Sequence, residues 1–184
     1  MRQLLEGRCI TDRLADVPEP LAPDVVIRGT GRIFDSQLGR GDPAATLAIR
    51  ALQEATINAG LTASDLARMP ILVASSKGAI AALFDTHQRV SAATLGPHGY
   101  LCSLIQSQTK SPSCRAVVAA CASGLFALDR AARLLRRREA ERVAVVAVEA
   151  SLVPLLIASY KRLGVLPPVT NESYRCRQMD TNRC

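Results

Sequence analysis

Residues Arg115 to Ala150 read RAVVAACASGLFALDRAARLLRRREAERVAVVAVEA, and their pattern decides the fold class. An apolar run, Ala116-Val117-Val118-Ala119-Ala120, ends at Cys121. Small residues lead from there into a helical pattern over Leu125 to Arg138, and a second apolar run, Val143 to Val148, closes the unit. The expected order is strand, tight turn, helix, strand, with the cysteine at the strand-to-helix corner.

That corner bears on the chemistry of a thiol. The amides of a helix's first turn have no intrahelical partners, and the helix dipole adds positive potential there. Both favour thiolate over thiol and so raise the population of the nucleophile. Ala122, Ser123 and Gly124 are small and leave room for a bulky acyl group. Free cysteine is also among the most buried residue types, so a purely packing role fits the same spacing.

Ala120-Cys121-Ala122-Ser123-Gly124, followed by Ala127, Ala131-Ala132, Leu134-Leu135 and a strand ending in Glu149-Ala150, resembles the β-ketoacyl-acyl-carrier-protein synthases. Asp42-Pro43, Leu47-Ala48 and Ala59-Gly60-Leu61 are similar to that family's first long helix. Tyr160 to Leu166 resembles the segment before its Arg-Pro-Phe-Asp box, and Cys176-Arg177-Gln178-Met179-Asp180 with Arg183 looks like a departed version of the box. The resemblance covers roughly residues 4 to 183. It implies an α/β, thiolase-like fold: a largely parallel mixed sheet flanked by helices, of which residues 1–184 would form one of the two halves. It also implies that the family's first strand and C-terminal half are missing.

Composition agrees with such a fold. The chain has 184 residues, 48% of them hydrophobic and only 3% aromatic, so small aliphatic side chains do the packing, as in buried parallel sheets. The net charge of +7 would suit nucleic acid, but stacking residues are few and no recognised binding motif appears. A basic surface would equally suit an acidic protein partner. No apolar run approaches the length of a membrane span, and no signal region opens the chain. Cys9, Cys102, Cys114, Cys121, Cys176 and Cys184 show no Cys-x-x-Cys spacing and read as reduced thiols rather than a disulfide framework or zinc site. A soluble, cytoplasmic protein without metal or cofactor is the expectation.

Along the chain, Leu4 to Arg8 reads as a helix end, and Pro18, Pro20 and Pro23 exclude regular helix before a short strand at Val25-Val26-Ile27. Asp42 as N-cap, Pro43 at the first helical position and Gly60 as stop bound a helix with Leu47, Ala48, Ala51, Ala55 and Ala59 on one face. Thr62 and Asp65 resemble a capping box, and Ile71 to Ala74 reads as a buried strand. Ser75-Ser76-Lys77-Gly78 invites a phosphate-loop reading but lacks the spaced glycine pair, so a tight turn into a helix over Ala79 to Gln88 is expected.

The two histidines, His87 and His98, would have to approach Cys121 to form a Cys–His dyad. His87 falls on a polar helix end and His98 in a Gly96-Pro97-His98-Gly99 loop, so surface positions are expected. Arg130, Arg133 and Arg137 share one helix face, while Leu128, Ala131, Leu134 and Leu135 are expected to supply apolar contacts. A solvated face explains the arginines, and the resemblance adds docking of an acidic acyl carrier protein.

The resemblance implies that Cys121 takes an acyl group from carrier protein before decarboxylative condensation with malonyl carrier protein. The family's catalytic histidines have no counterparts here, so complete turnover by this chain alone is not expected. A homodimer through the strand preceding the cysteine, Arg115 to Ala120, is implied by analogy. Two other readings compete: a non-catalytic interaction fragment of a condensing enzyme, and a coenzyme-A-dependent thiolase-like enzyme.

Overall fold

The structure, a computed structural model, describes residues 42–85 and 87–165, together with two short paired segments at 12–13 and 28–29. Leu38–Ser151 forms one compact unit, and the other described residues belong to a second.

Three strands build the sheet of the first unit: β3 (Ile71–Ala74), β4 (Cys114–Val117) and β5 (Ala144–Ala147). Their order is β4-β3-β5 and both pairings are parallel, with Ile71 opposite Cys114 on one side and Ala144 on the other. Every residue of β3 is buried, as a central parallel strand covered on both faces requires. Alternation then divides its side chains. Ile71 and Val73 point into a cluster with Ala44, Ala48 and Leu52 of α1 (Pro43–Asn58) and Leu101 and Ile105 of α3 (Arg89–Thr109). Leu72 and Ala74 point the other way, onto Ala127 and Ala131 of α4 (Ser123–Arg136). Each large β3 side chain buried this way contributes about 1.5–3 kcal/mol of apolar transfer.

Local chemistry fixes α1 as the sequence implies. The Asp42 carboxylate accepts from the amides of Ala44 (2.9 Å) and Ala45 (3.1 Å), and Pro43 stands in the first turn. At the other end Gly60 takes φ +65°, where a side chain would be strained. The buried face differs from expectation. It is Ala44, Ala45, Ala48 and Leu52, whereas Ala51, Ala55 and Ala59 are exposed. In an alanine-rich helix several faces look equally apolar, and Leu52, the larger side chain, turns its own sector inward.

The four-residue α2 (Ala63–Leu66) carries the full capping box, Asp65 N–H to Thr62 Oγ1 at 3.2 Å and Thr62 N–H to Asp65 Oδ2 at 2.9 Å. The hydrogen bonds from Thr62 and Arg68 hold the Asp65 carboxyl well below the usual carboxylate range.

Two elements are corrected. The helix expected over Ala79 to Gln88 is a single 3-10 turn, Ile80–Leu83, and regular helix starts only at Arg89. The loop expected at Gly96 to Gly99 lies inside α3, as a kink at Gly96 (φ 70°, ψ 156°). Pro97 has no amide to donate, so it fits the first turn of the helical segment beyond that break.

The strand and helix limits around the cysteine also move. β4 ends at Val117 rather than Ala120, α4 starts at Ser123 rather than Leu125, and β5 spans Ala144–Ala147 rather than 143–148. On α4 the buried residues are Ser123, Ala127 and Ala131, while Leu128 and Leu135 are exposed and supply no core contact.

In the second unit, β1 (Asp12–Arg13) pairs antiparallel with β2 (Arg28–Gly29). The helix α5 (Pro154–Arg162) starts with Pro154 and is followed by Gly164 at φ +68°. The expectations at Leu4 to Arg8, at Val25 to Ile27 and at Cys176 to Arg183 lie outside the described residues. Among the described residues no helix is long and apolar enough to cross a membrane.

Candidate active site at the carboxyl ends of the strands

Four residues separate the end of β4 from the start of α4, if the cysteine is set aside, and they turn the chain sharply. Ala120 adopts φ +47°, a left-handed conformation that costs an alanine about 1–2 kcal/mol. The turn is held by Ser123, whose side chain is buried. Its Oγ accepts from the Ala119 amide at 2.8 Å and donates to the Ala120 carbonyl at 2.7 Å. Backbone bonds from Ala122 N–H to the Ala119 carbonyl (3.0 Å) and from Ser123 N–H to the Ala120 carbonyl (3.2 Å) close it. Cys121 stands at the tip of this corner and is exposed. No acidic side chain in the first turn of α4 offsets the helix dipole.

The small residues after Cys121 do more than leave space. Ser123 locks the corner, and at Gly124 an added methyl would come within 3.7 Å of Ala147 Cβ, so the head of α4 lies close against β5. Around the corner Val118, Leu125 and Phe126 are 54%, 72% and 58% exposed, an apolar rim beside the thiol.

The segments after β3 and β5 meet at the same end of the sheet. Glu149 accepts from Ser76 N–H at 2.9 Å and from the Ser76 hydroxyl at 2.5 Å, and the Ser151 hydroxyl also donates to it. Burial raises the Glu149 carboxyl, but the hydrogen bonds from Ser151 and Ser76 and the charge of Lys77 outweigh it and hold the group below its ordinary value. This tie joins positions 73 residues apart, and no local signal marks it.

The turn at 75–78 is the tight turn expected, with Gly78 N–H donating to buried Ser75 Oγ at 2.8 Å. Gly78 has φ +63°, and a Cβ there would lie 2.6 Å from the Pro97 carbonyl carbon. Only glycine fits both constraints.

Neither histidine hydrogen-bonds to Cys121 among the described residues. His87 is exposed, as expected. His98 is not on an open loop: it lies in α3 just past the kink, half-buried, with Nε2 buried and without a partner. Arg130 and Arg133 are exposed on α4, and Arg137 is exposed at its C-cap. Arg133 pairs with Asp129 at 2.8 Å and Arg137 with Glu139 at 3.7 Å, so part of their charge is already balanced. A groove of about 540 Å³ lined by Asp65, Arg68, Met69, Pro112 and Arg142 lies before the strands start, at the opposite end of the sheet from Cys121.

A parallel sheet whose carboxyl ends carry an exposed thiol on a strained strand-to-helix corner is the place where such folds do chemistry. The family model for the beta-ketoacyl synthase N-terminal domain matches residues 27–182. The chain belongs to the β-ketoacyl synthase family. The match begins later than the resemblance quoted from residue 4. No curated protein matches the sequence. β-Ketoacyl synthases are condensing enzymes of fatty-acid and polyketide synthesis with a thiolase-like fold, and this chain carries the α/β arrangement of their N-terminal domain.

Proposed function

We propose that Cys121 is the nucleophile of the condensing site, holding the acyl group as a thioester between two half-reactions. The observation that carries this reading is the corner itself, where an exposed thiol stands on left-handed backbone kept in shape by the buried Ser123 hydroxyl. In the first half-reaction the Cys121 sulfur attacks the thioester carbonyl of an acyl carrier protein. A carbon–sulfur bond forms, the carrier's carbon–sulfur bond breaks, and the carrier thiol leaves with the proton from Cys121. The Cys121 amide, at the head of α4, supplies one donor to the developing oxyanion. In the second half-reaction malonyl carrier protein loses carbon dioxide, its carbanion attacks the acyl carbon, and Cys121 departs as thiolate.

Because neither histidine hydrogen-bonds to Cys121, we assign no general acid or base from within these residues, and acylation is the step this chain performs by itself. Arg130, Arg133 and Arg137 are the docking surface for the acidic carrier. Of the three, Arg130 has no ion pair with a described residue, and it is the one we expect to contribute most. The free edge of β4 among the described residues, with Val118 exposed beyond it, supports pairing of two protomers through that strand.

The test is intact mass after incubation with an acyl carrier protein thioester, beside Cys121→Ala. An acyl adduct on the parent and none on the variant supports the reading. No adduct from folded protein favours the second reading, an interaction module whose exposed Val118, Leu125 and Phe126 meet a partner.

A further inference from the structure

No step of acyl transfer at Cys121 uses the Glu149 carboxylate, yet three donors converge on it. The Ser76 amide donates at 2.9 Å, the Ser76 hydroxyl at 2.5 Å, and the Ser151 hydroxyl donates as well. Glu149 is exposed, and an exposed carboxylate is ordinarily left to water with its side chain free to turn. Here charge-assisted hydrogen bonds fix it to the loop that follows a different strand. We propose that Glu149 is a positioning residue for Cys121: through Ser76 it ties the exits of β3 and β5 together, and so seats the head of α4, beside which the thiol stands. As a statement about the reaction, this rests on Cys121 being the nucleophile.

The route from Glu149 to the thiol is a chain of contacts. Ala74, the last residue of β3, stands opposite Val117 of β4 and Ala147 of β5, so the three strands end at one level. The β3–β5 ladder runs one bond further, from Val148 N–H to the Ala74 carbonyl at 2.9 Å. Glu149 is the next residue, and its side chain takes over where the backbone ladder stops. Beneath these exits Leu72 and Ala74 of β3 pack on Ala127 and Ala131 of α4, with Val145 of β5 against the same cluster. The first turn of α4 is a neighbour of β5 too, since a methyl on Gly124 would meet Ala147 Cβ at 3.7 Å, an ordinary contact. From that same turn Ser123 holds the corner. When Glu149 lets go, the ends of β3 and β5 part and the head of α4 loses the surface it rests on. The strands below stay paired by their backbones, so the loss falls on position more than on fold.

The experiment acylates the full chain with an acyl carrier protein thioester, read by time-resolved intact mass. In parallel it labels the chain briefly with iodoacetamide and quantifies tryptic peptide 116–130, which holds Cys121 and no other cysteine. In Glu149→Ala the maximal acylation rate should fall about tenfold with the half-saturating carrier concentration unchanged, and labelling of Cys121 should slow with it. Glu149→Gln keeps an oxygen for the Ser76 amide and should recover most of both rates. Ser76→Ala loses the hydroxyl bond but keeps the amide bond, so its rate should fall about threefold. The double variant should be no slower than Glu149→Ala alone, because both changes act through one tie. Buried Cys102 reports folding, since it stays unlabelled in folded protein; if Glu149→Ala exposes it, Ser76→Ala and Glu149→Gln decide in its place. Parent rates in Glu149→Ala, equal slowing in Glu149→Gln, additive effects in the double variant, or a change confined to the half-saturating concentration each overturn the proposal. If the parent takes no acyl group, the assignment of Cys121 as nucleophile fails separately, and the labelling rates decide whether Glu149 positions the thiol.

Discussion

Removing one oxygen atom tests whether the corner at Cys121 is held as described. In Ser123→Ala the helix start keeps its backbone, but the Ala119 amide loses its partner at 2.8 Å and the Ala120 carbonyl keeps only the weaker bond from Ser123 N–H at 3.2 Å. Each lost hydrogen bond is worth about 0.5–1.5 kcal/mol net, and an amide left dry costs more, so the variant should lose about 2 kcal/mol. Ala120 adds to this, because its left-handed φ of 47° persists only while its surroundings enforce it. With the hydroxyl gone, Ala120 relaxes and the thiol swings out of place. If positioning worth about 1.4 kcal/mol is lost with it, the rate of Cys121 acylation falls about tenfold. Urea unfolding gives the stability change, and time-resolved intact mass gives the acylation rate. Ala120→Gly in the same background should recover part of both, since glycine takes this φ freely. An unfolding free energy within about 0.5 kcal/mol of the parent, with acylation unchanged, would refute the reasoning, because surface substitutions alone reach that value.

Gly78→Ala should cost more than about 2 kcal/mol, since it combines a φ of +63° with a 2.6 Å approach to Pro97 backbone; a loss under about 1 kcal/mol in urea unfolding would show that the turn gives way. Asp42 has a pH signature. Burial, the larger effect, outweighs the bonds from Ala45 and Ala44 and raises its carboxyl, so its contribution is full below the unfolded value of about 3.9 and is lost as pH rises through the native value. Asp42→Asn should therefore abolish that part of the decline in stability above about pH 4, whereas Asp42→Ala should lose about 1 kcal/mol of capping at any pH, and identical pH profiles for parent and Asn variant would contradict this. Reversing Arg130, Arg133 and Arg137 to Glu should weaken carrier binding strongly at low salt and little at high salt, as titration by fluorescence anisotropy would report; a salt-independent loss would place the effect outside electrostatics.

What the sequence disclosed follows from how local each signal is. The ends of α1 are set by Asp42, Pro43 and Gly60 acting on their own neighbours, so they read directly. β3 reads directly too, because a strand covered on both faces must be apolar at every position. The inward face of α1 does not, since alanine at positions 44, 45, 48, 51, 55 and 59 carries almost no directional signal. The 3-10 turn after Gly78 is dictated by a distant partner, as the Ala79 amide bonds the Pro97 carbonyl at 3.0 Å from across the α3 kink. Proline in the sequence announced a break there, but not that a helix resumes on its far side.

The candidate site divides along the same line. Cys121 was legible from a pattern of small residues between an apolar run and a helix. The shape of its corner was not, because the left-handed residue is alanine rather than glycine or asparagine, and what holds it there is a serine hydroxyl facing backward. Sequence reading assigned Ser123 and Gly124 to open space for a substrate, whereas the structure uses Ser123 to bind the corner, and a methyl added at Gly124 would only meet Ala147 Cβ at ordinary contact distance. The Glu149–Ser76 tie was invisible for a different reason, since it exists only once parallel strands have set two distant loops side by side. A thiol on such a corner keeps its position through groups that carry no reactive chemistry. That is why changing Ser123 should impair acylation almost as surely as changing the rim around the sulfur.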